Sequence, residues 1–252
     1  MAVRGIAQYE AVQAANNDNI YNECPAGNGA DLITFSVSGI IIVDTELNIN
    51  TEIAMLGPIA LSGDNSRLIF RVSSNGVLSL STLTVQNGDG AGGGTILNVG
   101  GTINIAGVSF EENYASSNDG AIFNSSGKLN IAGSNFIANQ TDGNGNGHLF
   151  TIGNSIVDGG GADNCSGDFT SLGHNIDNGN SCSFSHTTDL NNTDPLLDSL
   201  DFNGGPIVSL LTHALLPNSP AIDAADPVLC SVAPVSNVNQ CGEPHHRRKV
   251  FI

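Results

Sequence analysis

One segment of this sequence recurs at a fixed distance, and that repeat limits the possible folds more than any other feature. Ile103–Asn113 (INIAGVSFEEN) and Leu129–Asn139 (LNIAGSNFIAN) lie 26 residues apart and are identical at six of eleven positions. Leu78–Asn87 (LSLSTLTVQN) has the same alternation of apolar and polar residues one repeat earlier. A meander of hairpins would also alternate, but it would not preserve the same residues every 26 positions. The repeat therefore predicts an all-β fold, a right-handed parallel β-helix whose equivalent positions stack along one axis.

The repeat also predicts which residues fill the interior and which form the turns. Phe110 and Phe136 occupy equivalent positions and are predicted to stack inside the coil. Asn87, Asn113 and Asn139 follow at equal steps and predict an asparagine ladder at one turn. Stacked amides bond to the rungs above and below, and Asn tolerates the left-handed backbone of a sharp turn. We interpret these residues as parts of the scaffold.

The pattern divides the chain into three parts of a single domain. Residues 1–30 are predicted to cap the coil, with a short amphipathic helix at Glu10–Asn16 covering the first rung. Residues 31–160 form the rungs. After the second copy the register weakens and the offset drops to 20, and prolines then become frequent. Residues 161–252 are therefore predicted to be an irregular C-terminal region packed on the coil.

The charge of the chain excludes several classes of partner. There are 24 acidic residues against seven basic ones, giving a formal net charge of −17. Three of the basic residues (Arg247, Arg248 and Lys249) lie among the last six residues. Such a surface repels phosphate backbones and anionic lipids, so we expect no nucleic-acid partner. The longest apolar run, Ile40–Val43, is far shorter than the ~20 residues of a membrane span, so we expect no membrane insertion.

Two sets of motifs resemble known secreted bacterial proteins. Gly120–Ile122 (GAI), Phe110–Asn113 (FEEN) and Phe136–Asn139 (FIAN) resemble the Gly-Gly-Ala-Ile and Phe-x-x-Asn repeats of polymorphic outer-membrane proteins. Glu10–Asp18 (EAVQAANND) followed by Cys24–Phe35 (CPAGNGADLITF) resembles the N-terminal domain named after a Cys-Ser-Leu-Arg-Glu-Ala signature.

The C-terminal third resembles the same signature family over three long strings. These are Phe169–Cys182 (FTSLGHNIDNGNSC), Asp194–Pro206 (DPLLDSLDFNGGP) and Thr212–Asp226 (THALLPNSPAIDAAD). The resemblance implies a secreted β-helix located outside the cell or at the bacterial cell surface. Ile6–Tyr9 stands where the signature has Cys-Ser-Leu-Arg, and Asn237–Ile252 (NVNQCGEPHHRRKVFI) departs from the family pattern. Both ends are therefore expected to be truncated or altered. The absence of a signal peptide is then weak evidence about the parent protein.

The five cysteines fit an oxidising compartment better than a metal site. None lies in a Cys-x-x-Cys pair and no His has zinc-finger spacing, so no metal or cofactor is expected. The family resemblance implies a disulfide between Cys165 and Cys182, which supports secretion. Cys24 is expected to have lost its partner with the altered signature. Cys230 either pairs with Cys241 or stays free.

Candidate catalytic residues are sparse. A glycosidase needs two carboxylates on either side of a groove. The candidates are Asp142, Asp158, Asp163 and Asp168. Each lies among Gly and Asn, where Asp usually forms turns, and we interpret them as turn residues. His213 lies in one of the family-typical strings and is interpreted as structural.

A polysaccharide lyase needs cations to neutralise the sugar carboxylate. Arg67, Arg71 and Lys128 are the only cations between Gly5 and His246. Three cations are too few for a lyase site, so no catalytic residue is assigned.

These observations favour a non-enzymatic extracellular or cell-surface β-helix, an adhesive or passenger-type module that acts as a monomer. Its expected partner is a glycan or a host or cell-surface protein. The alternative is a carbohydrate-active β-helix enzyme, either a polysaccharide lyase or a glycoside hydrolase. An ice-binding or calcium-stabilised solenoid is a third hypothesis, although Thr82-Leu83-Thr84 is the single Thr-x-Thr motif.

Overall fold

The computed structural model describes residues 3–4, 6–35, 39–117, 120–142, 150–159, 165, 169–179, 182–201, 203 and 212–231. This part of the chain forms a parallel β-solenoid of about five turns, as the 26-residue repeat predicts. Neither of the two helices found in these ranges is long and apolar enough to cross a membrane.

The secondary structure consists of many short strands and two short helices. The helices are α1 (Ile6–Asn17) and α2 (Pro227–Ser231). The strands are β1 (Val3–Arg4), β2 (Asp31–Thr34), β3 (Gly39–Ile42), β4 (Leu47–Ile49), β5 (Glu52–Leu56), β6 (Ile59–Ser62), β7 (Phe70–Val72), β8 (Val77–Gln86), β9 (Asp89–Gly90), β10 (Ile96–Glu111), β11 (Tyr114–Ala115), β12 (Ile122–Ala132), β13 (Asn135–Ile137), β14 (Gln140–Thr141), β15 (Phe150–Gly153), β16 (Ile156–Asp158), β17 (Phe169–Gly173), β18 (Ile176–Asp177), β19 (Leu197–Asp201) and β20 (Thr212–Leu215).

The strands stack in parallel along one axis. The longest path through the main sheet is β1-β3-β6-β8-β10-β12-β15-β17, and a smaller parallel sheet is β14-β11-β9. Strand β10 pairs with β7, β8, β12 and β13, so one long strand contributes to more than one wall. Gly100 and Gly107 have φ of 100° and 61°, which glycine adopts without strain. They allow β10 to change direction between walls.

The length of a rung varies along the coil. Val77 pairs with Thr102, a step of 25 residues, whereas Ile103 pairs with Leu129, a step of 26. Leu129 then pairs with Phe150, a step of 21 instead of the 20 read from the sequence. The walls keep their register while the connecting turns shorten. Parallel pairing continues to Asp177 in β18, so the stack extends beyond the boundary at residue 160 that the sequence pattern predicts.

The interior is filled by the alternating apolar side chains of successive rungs. The buried residues include Leu78 and Leu80 of β8, together with Ile103, Ile105 and Val108 of β10. Leu129 and Ile131 of β12 continue the same rows upwards. Fully burying side chains of this size stabilises a fold by about 1.5–3 kcal/mol each, which makes the rows the main source of stability.

Helix α1 covers the first rungs, as predicted, and at Ile6–Asn17 it is longer than the predicted Glu10–Asn16. Its own residues Val12 and Ala15 are buried in the core. The Asn16 amide Nδ2 donates to the carbonyl oxygen of Asn48 at 2.6 Å, and its Oδ1 accepts from the backbone N–H of Asn50 at 2.9 Å. These bonds satisfy backbone groups that an uncovered end of the coil would leave open.

The C-terminal region packs on one wall of the coil. Strands β19 and β20 form an antiparallel pair, which we call the C-terminal hairpin. Ile156, Ile176 and Ala221 form a second small core, against which Leu197 and Leu215 pack. The tail from Asn239 onwards, which we expect to be poorly packed, lies outside the described residues.

The disulfide between Cys165 and Cys182 is confirmed, with 1.98 Å between the two Sγ atoms. It closes a loop across 17 positions, which contributes roughly 3 kcal/mol by restricting the unfolded chain. Within the described residues Cys24 and Cys230 carry no disulfide. Cys241 lies outside them, so the proposed pairing with Cys230 stays a prediction.

Candidate functional site

Phe110 and Phe136 stack inside the coil. Their ring centroids are 4.9 Å apart and their planes differ by 7°. Phe110 is fully buried and Phe136 is partly buried. Phe136 packs against the core without being fully enclosed, and both rings serve the scaffold.

Asn113 and Asn139 form the expected hydrogen-bonded turn. The Asn113 side-chain Nδ2 donates to Asn139 Oδ1 at 2.8 Å, and the backbone N–H of Asn113 donates to the same oxygen at 3.2 Å. Asn139 Nδ2 in turn donates to the carbonyl oxygen of Phe110 at 2.9 Å. The amides therefore join successive rungs.

Asn87 does not belong to this ladder, and that prediction is wrong. Gln86 pairs with Glu111, so Asn87 stacks with Glu112, and Gly88 takes the position of Asn113. The backbone N–H of Gly88 donates to Asn113 Oδ1 at 2.9 Å. The equal steps in the sequence are misleading because this rung is 25 residues long. Asn87 and Glu112 share a left-handed backbone with φ of 50°.

A second pair of asparagines lies inside the coil, and sequence reasoning missed it. Asn98 Nδ2 donates to Asn124 Oδ1 at 2.8 Å and to the carbonyl oxygen of Gly101 at 3.2 Å. The Gly101 N–H donates to Asn98 Oδ1 at 2.9 Å. The signal is present in the strings TILNV (Thr95–Val99) and AIFNS (Ala121–Ser125), whose fourth residues are 26 apart.

A row of hydrogen-bonded polar side chains runs along the outer surface of the main sheet. We call Ser79, Asn104, Asn130 and Thr151 the polar ladder. Asn104 Nδ2 donates to Ser79 Oγ at 3.3 Å, Asn130 Nδ2 to Asn104 Oδ1 at 2.9 Å, and Thr151 Oγ1 to Asn130 Oδ1 at 3.1 Å. These residues alternate with buried apolar ones and are partly or fully exposed. The row crosses four consecutive rungs, spaced about 4.8 Å apart in a sheet of this kind.

Small residues border the polar ladder on one side. Ser81, Ala106 and Ala132 form the neighbouring row on one side. Thr102 and Lys128 lie in the row on the other side. Small side chains leave the amides and hydroxyls of the ladder accessible. The result is a regular hydrogen-bonding surface. Among the ladder residues and the two rows named here, Lys128 is the one cation.

Two buried ionisable groups meet where the coil contacts the C-terminal hairpin. Glu111, at the end of β10, is only 4% exposed, and His213, in β20, is 8% exposed. His213 Nε2 lies 3.6 Å from Glu111 Oε1. His213 Nδ1 is 2.6 Å from the carbonyl oxygen of Asp198. A carbonyl oxygen only accepts, so Nδ1 carries a hydrogen.

Charge and burial compete at this contact. Burial alone would lower the pKa of His213, but Glu111, the Asp198 carbonyl and the charge of Asp158 outweigh it and raise that pKa. Burial and the nearby charge of Asp194 raise the pKa of Asp158, against the opposing effects of His213 and Asn178. Both groups therefore hold a proton more tightly than they would in water.

The four candidate aspartates do not form one site within the described residues. Asp158 belongs to the cluster around His213. Asp142 follows β14 of the smaller sheet, where it accepts a hydrogen bond from the Tyr114 hydroxyl at 2.5 Å. This bond, with partial burial, raises the pKa of Tyr114. Asp163 and Asp168 lie outside the described residues.

Ser171, Asp189 and His186 lie close together but lack the order of a catalytic triad. Ser171 Oγ donates directly to Asp189 Oδ2 at 2.6 Å. The backbone N–H of His186 donates to the same carboxylate at 3.0 Å, and its ring faces Thr188. A triad places the imidazole between the hydroxyl and the carboxylate. Here Asp189 instead ties a loop to β17.

Arg67 and Arg71, the two arginines considered for a lyase site, each contact a group on a neighbouring rung. Arg71 pairs with Glu46, with Nε and Oε1 2.6 Å apart. Arg67 donates to the carbonyl oxygen of Asp44 and to Ser66. Across the described ranges, no group of three or more His, Cys, Asp or Glu side chains is arranged to hold a metal ion.

Comparisons with known proteins add no family to this description. No protein-family model, curated protein sequence or solved structure matches the chain. The resemblance of its motifs to secreted bacterial β-helix proteins therefore stays a prediction.

Proposed function

We propose that this protein is a non-enzymatic β-solenoid that binds neutral glycans outside the cell or at the cell surface. The polar ladder is the observation that carries this proposal. It presents amide and hydroxyl groups on four successive rungs of one outer wall.

The chemistry of the ladder suits sugar hydroxyls. Asn, Ser and Thr side chains both donate and accept hydrogen bonds, as sugar hydroxyls do. Each hydrogen bond contributes only about 0.5–1.5 kcal/mol after exchange with water. A repeating ligand that contacts several rungs at once gains affinity through effective concentration, so weak contacts become sufficient.

Charge favours neutral glycans over acidic ones. The formal net charge of −17 repels polymers that carry carboxylates or sulfates. The disulfide between Cys165 and Cys182 fits an oxidising compartment. Together with the motif resemblance, it supports a location outside the cytoplasm.

Removing the two ladder amides is expected to weaken glycan binding. We expect the double variant Asn104→Ala/Asn130→Ala to lose roughly tenfold or more in affinity, because both amides leave the binding surface. Binding of the wild type and the variant would be compared on a glycan array and then by titration with the best ligand. The melting temperature of each protein shows whether the fold is kept.

The matched control is Asn17→Ala/Asn28→Ala, which removes two exposed asparagines far from the ladder along the chain. This control is expected to bind like the wild type. Full binding by the ladder variant, or an equal loss in the control, would contradict the proposal. Binding restricted to acidic glycans would contradict the argument from charge.

One observation favours a glycoside hydrolase as the second candidate. Glu111 and Asp158 occupy one column two rungs apart, with Ile137 between them. Two rungs correspond to roughly 9–10 Å between Cα atoms, close to the carboxyl separation of inverting glycosidases. Glu111 is buried against His213, however, so a sugar reaches it only after the C-terminal hairpin moves away. Burial of this carboxylate makes us favour binding over hydrolysis.

A further inference from the structure

The contact between Glu111 and His213 joins two parts of the chain that are far apart in sequence. Glu111 lies in the wall of the coil, and His213 lies in the C-terminal hairpin. Gln86 and Glu111 alternate with the inward-facing Val85 and Phe110, yet all four are buried. The outer side of this wall is therefore covered by other parts of the chain, and the side chain of His213 is one of the groups that cover it.

The geometry requires one extra proton at this contact. His213 Nδ1 carries a hydrogen because it faces the carbonyl oxygen of Asp198. If Nε2 carried none, its lone pair would face the Glu111 carboxylate at 3.6 Å. In the structure neither Glu111 Oε1 nor His213 Nε2 has another hydrogen-bond partner. One proton, shared as an ion pair or as a neutral acid with a neutral imidazole, removes this repulsion.

The ionisable groups that face His213 are all acids. Glu111 acts from β10 and Asp158 from β16, while β19 contributes the carbonyl oxygen of Asp198. Asp194, which precedes β19, acts through Asp158. Among the described residues of this interface, the proton shared by Glu111 and His213 therefore supplies the positive charge that faces these acids.

We propose that Glu111 and His213 form a single-proton latch that holds the C-terminal hairpin on the coil and releases it as the pH rises. The latch is a binding site for one proton, distinct from the glycan surface proposed above. When the proton is lost, a buried carboxylate faces a nitrogen lone pair. Opening the hairpin exposes both groups to water and relieves this repulsion.

The direction of the pH effect follows from the raised pKa of His213. A group that binds its proton more tightly in the closed state stabilises that state fully below its ordinary pKa, 6.5 for histidine. This contribution is lost as the pH rises through the higher pKa of the closed state. The pKa of Asp158 is also raised, from 3.8, so it acts in the same direction from a lower pH.

Hydrogen exchange of the hairpin amides tests the latch. After correction for intrinsic exchange, we expect the opening equilibrium of β20 to rise by up to tenfold per pH unit between the ordinary histidine pKa of 6.5 and the higher closed-state pKa, because one proton is released on opening. Above the closed-state pKa the equilibrium should level off. In Glu111→Gln the side-chain amide donates to neutral His213, so this rise should disappear. His186→Gln, which changes an exposed histidine, should keep the wild-type profile. An unchanged rise in Glu111→Gln, or none in the wild type, would overturn the proposal.

Imidazole NMR of the wild type decides the question even if Glu111→Gln does not fold. With nitrogen-labelled histidine, His213 should titrate above the ordinary histidine pKa of 6.5. A midpoint for His213 at or below that value would also overturn the latch.

Discussion

Replacing Phe110 by alanine is expected to lower the free energy of unfolding by about 4 kcal/mol. Phe110 is fully buried and stacks on Phe136, so the substitution leaves a cavity between two rungs. The backbone of β10 pairs with Val85 below and with Phe136 above. These parallel pairs prevent the walls from closing over the cavity, so the loss should lie within the usual range of about 3–5 kcal/mol for this substitution.

Chemical denaturation of the wild type and of Phe110→Ala measures this loss. Phe123→Ala is the matched control, because it deletes the same ring from a partly exposed position of β12. Its expected cost is about 1 kcal/mol. Equal losses in the two variants would contradict the account of the interior stack.

The substitution Asn98→Asp is expected to destabilise the coil by about 3–5 kcal/mol at neutral pH, with almost no change in volume. Asn98 is fully buried, and its Nδ2 donates to Asn124 Oδ1 and to the carbonyl oxygen of Gly101. A carboxylate has no hydrogen to donate, so it would face these two oxygens as an unpaired buried charge.

The control for this change is Asn104→Asp in the polar ladder, which exchanges the same groups at a partly exposed site. We expect it to cost less than about 1 kcal/mol. Burial raises the pKa of a carboxyl group, so the loss in Asn98→Asp should shrink as the pH falls through that raised pKa. Denaturation curves at several pH values measure both effects, and a loss independent of pH would contradict the buried-charge argument.

The architecture was predictable because its determinants are local and repeated. Alternating residues such as Ile103 and Ile105 recur with the same spacing as Leu129 and Ile131, and this pattern suits parallel stacking better than hairpins. The N-terminal cap was predictable for a related reason. A coil needs its open end covered, and α1 offers the small and apolar residues that fit there.

Register was less predictable because turns can change length while the walls stay aligned. Asn87 matches Asn113 by counting 26 residues, but hydrogen bonding pairs Gln86 with Glu111 at a step of 25. The same difficulty hides the polar ladder. Ser79, Asn104, Asn130 and Thr151 align only when steps of 25, 26 and 21 are known.

The contact between Glu111 and His213 could not be derived from any local pattern. His213 was interpreted as structural from the string in which it lies. Glu111 occupies an outward position, where a charged residue is normally solvated. Only the packing of the C-terminal hairpin on the coil buries both groups and makes a pair of them.

Co-sedimentation with insoluble polysaccharides, combined with analysis of released sugars, tests the proposed function most directly. Wild-type protein would be incubated with neutral glucans and with pectate and alginate gels, with and without calcium. We predict that neutral polysaccharides deplete the protein from solution, that acidic ones do not, and that no soluble sugar appears. Sugar release that disappears in Asp158→Asn would contradict the binding function and establish the hydrolase.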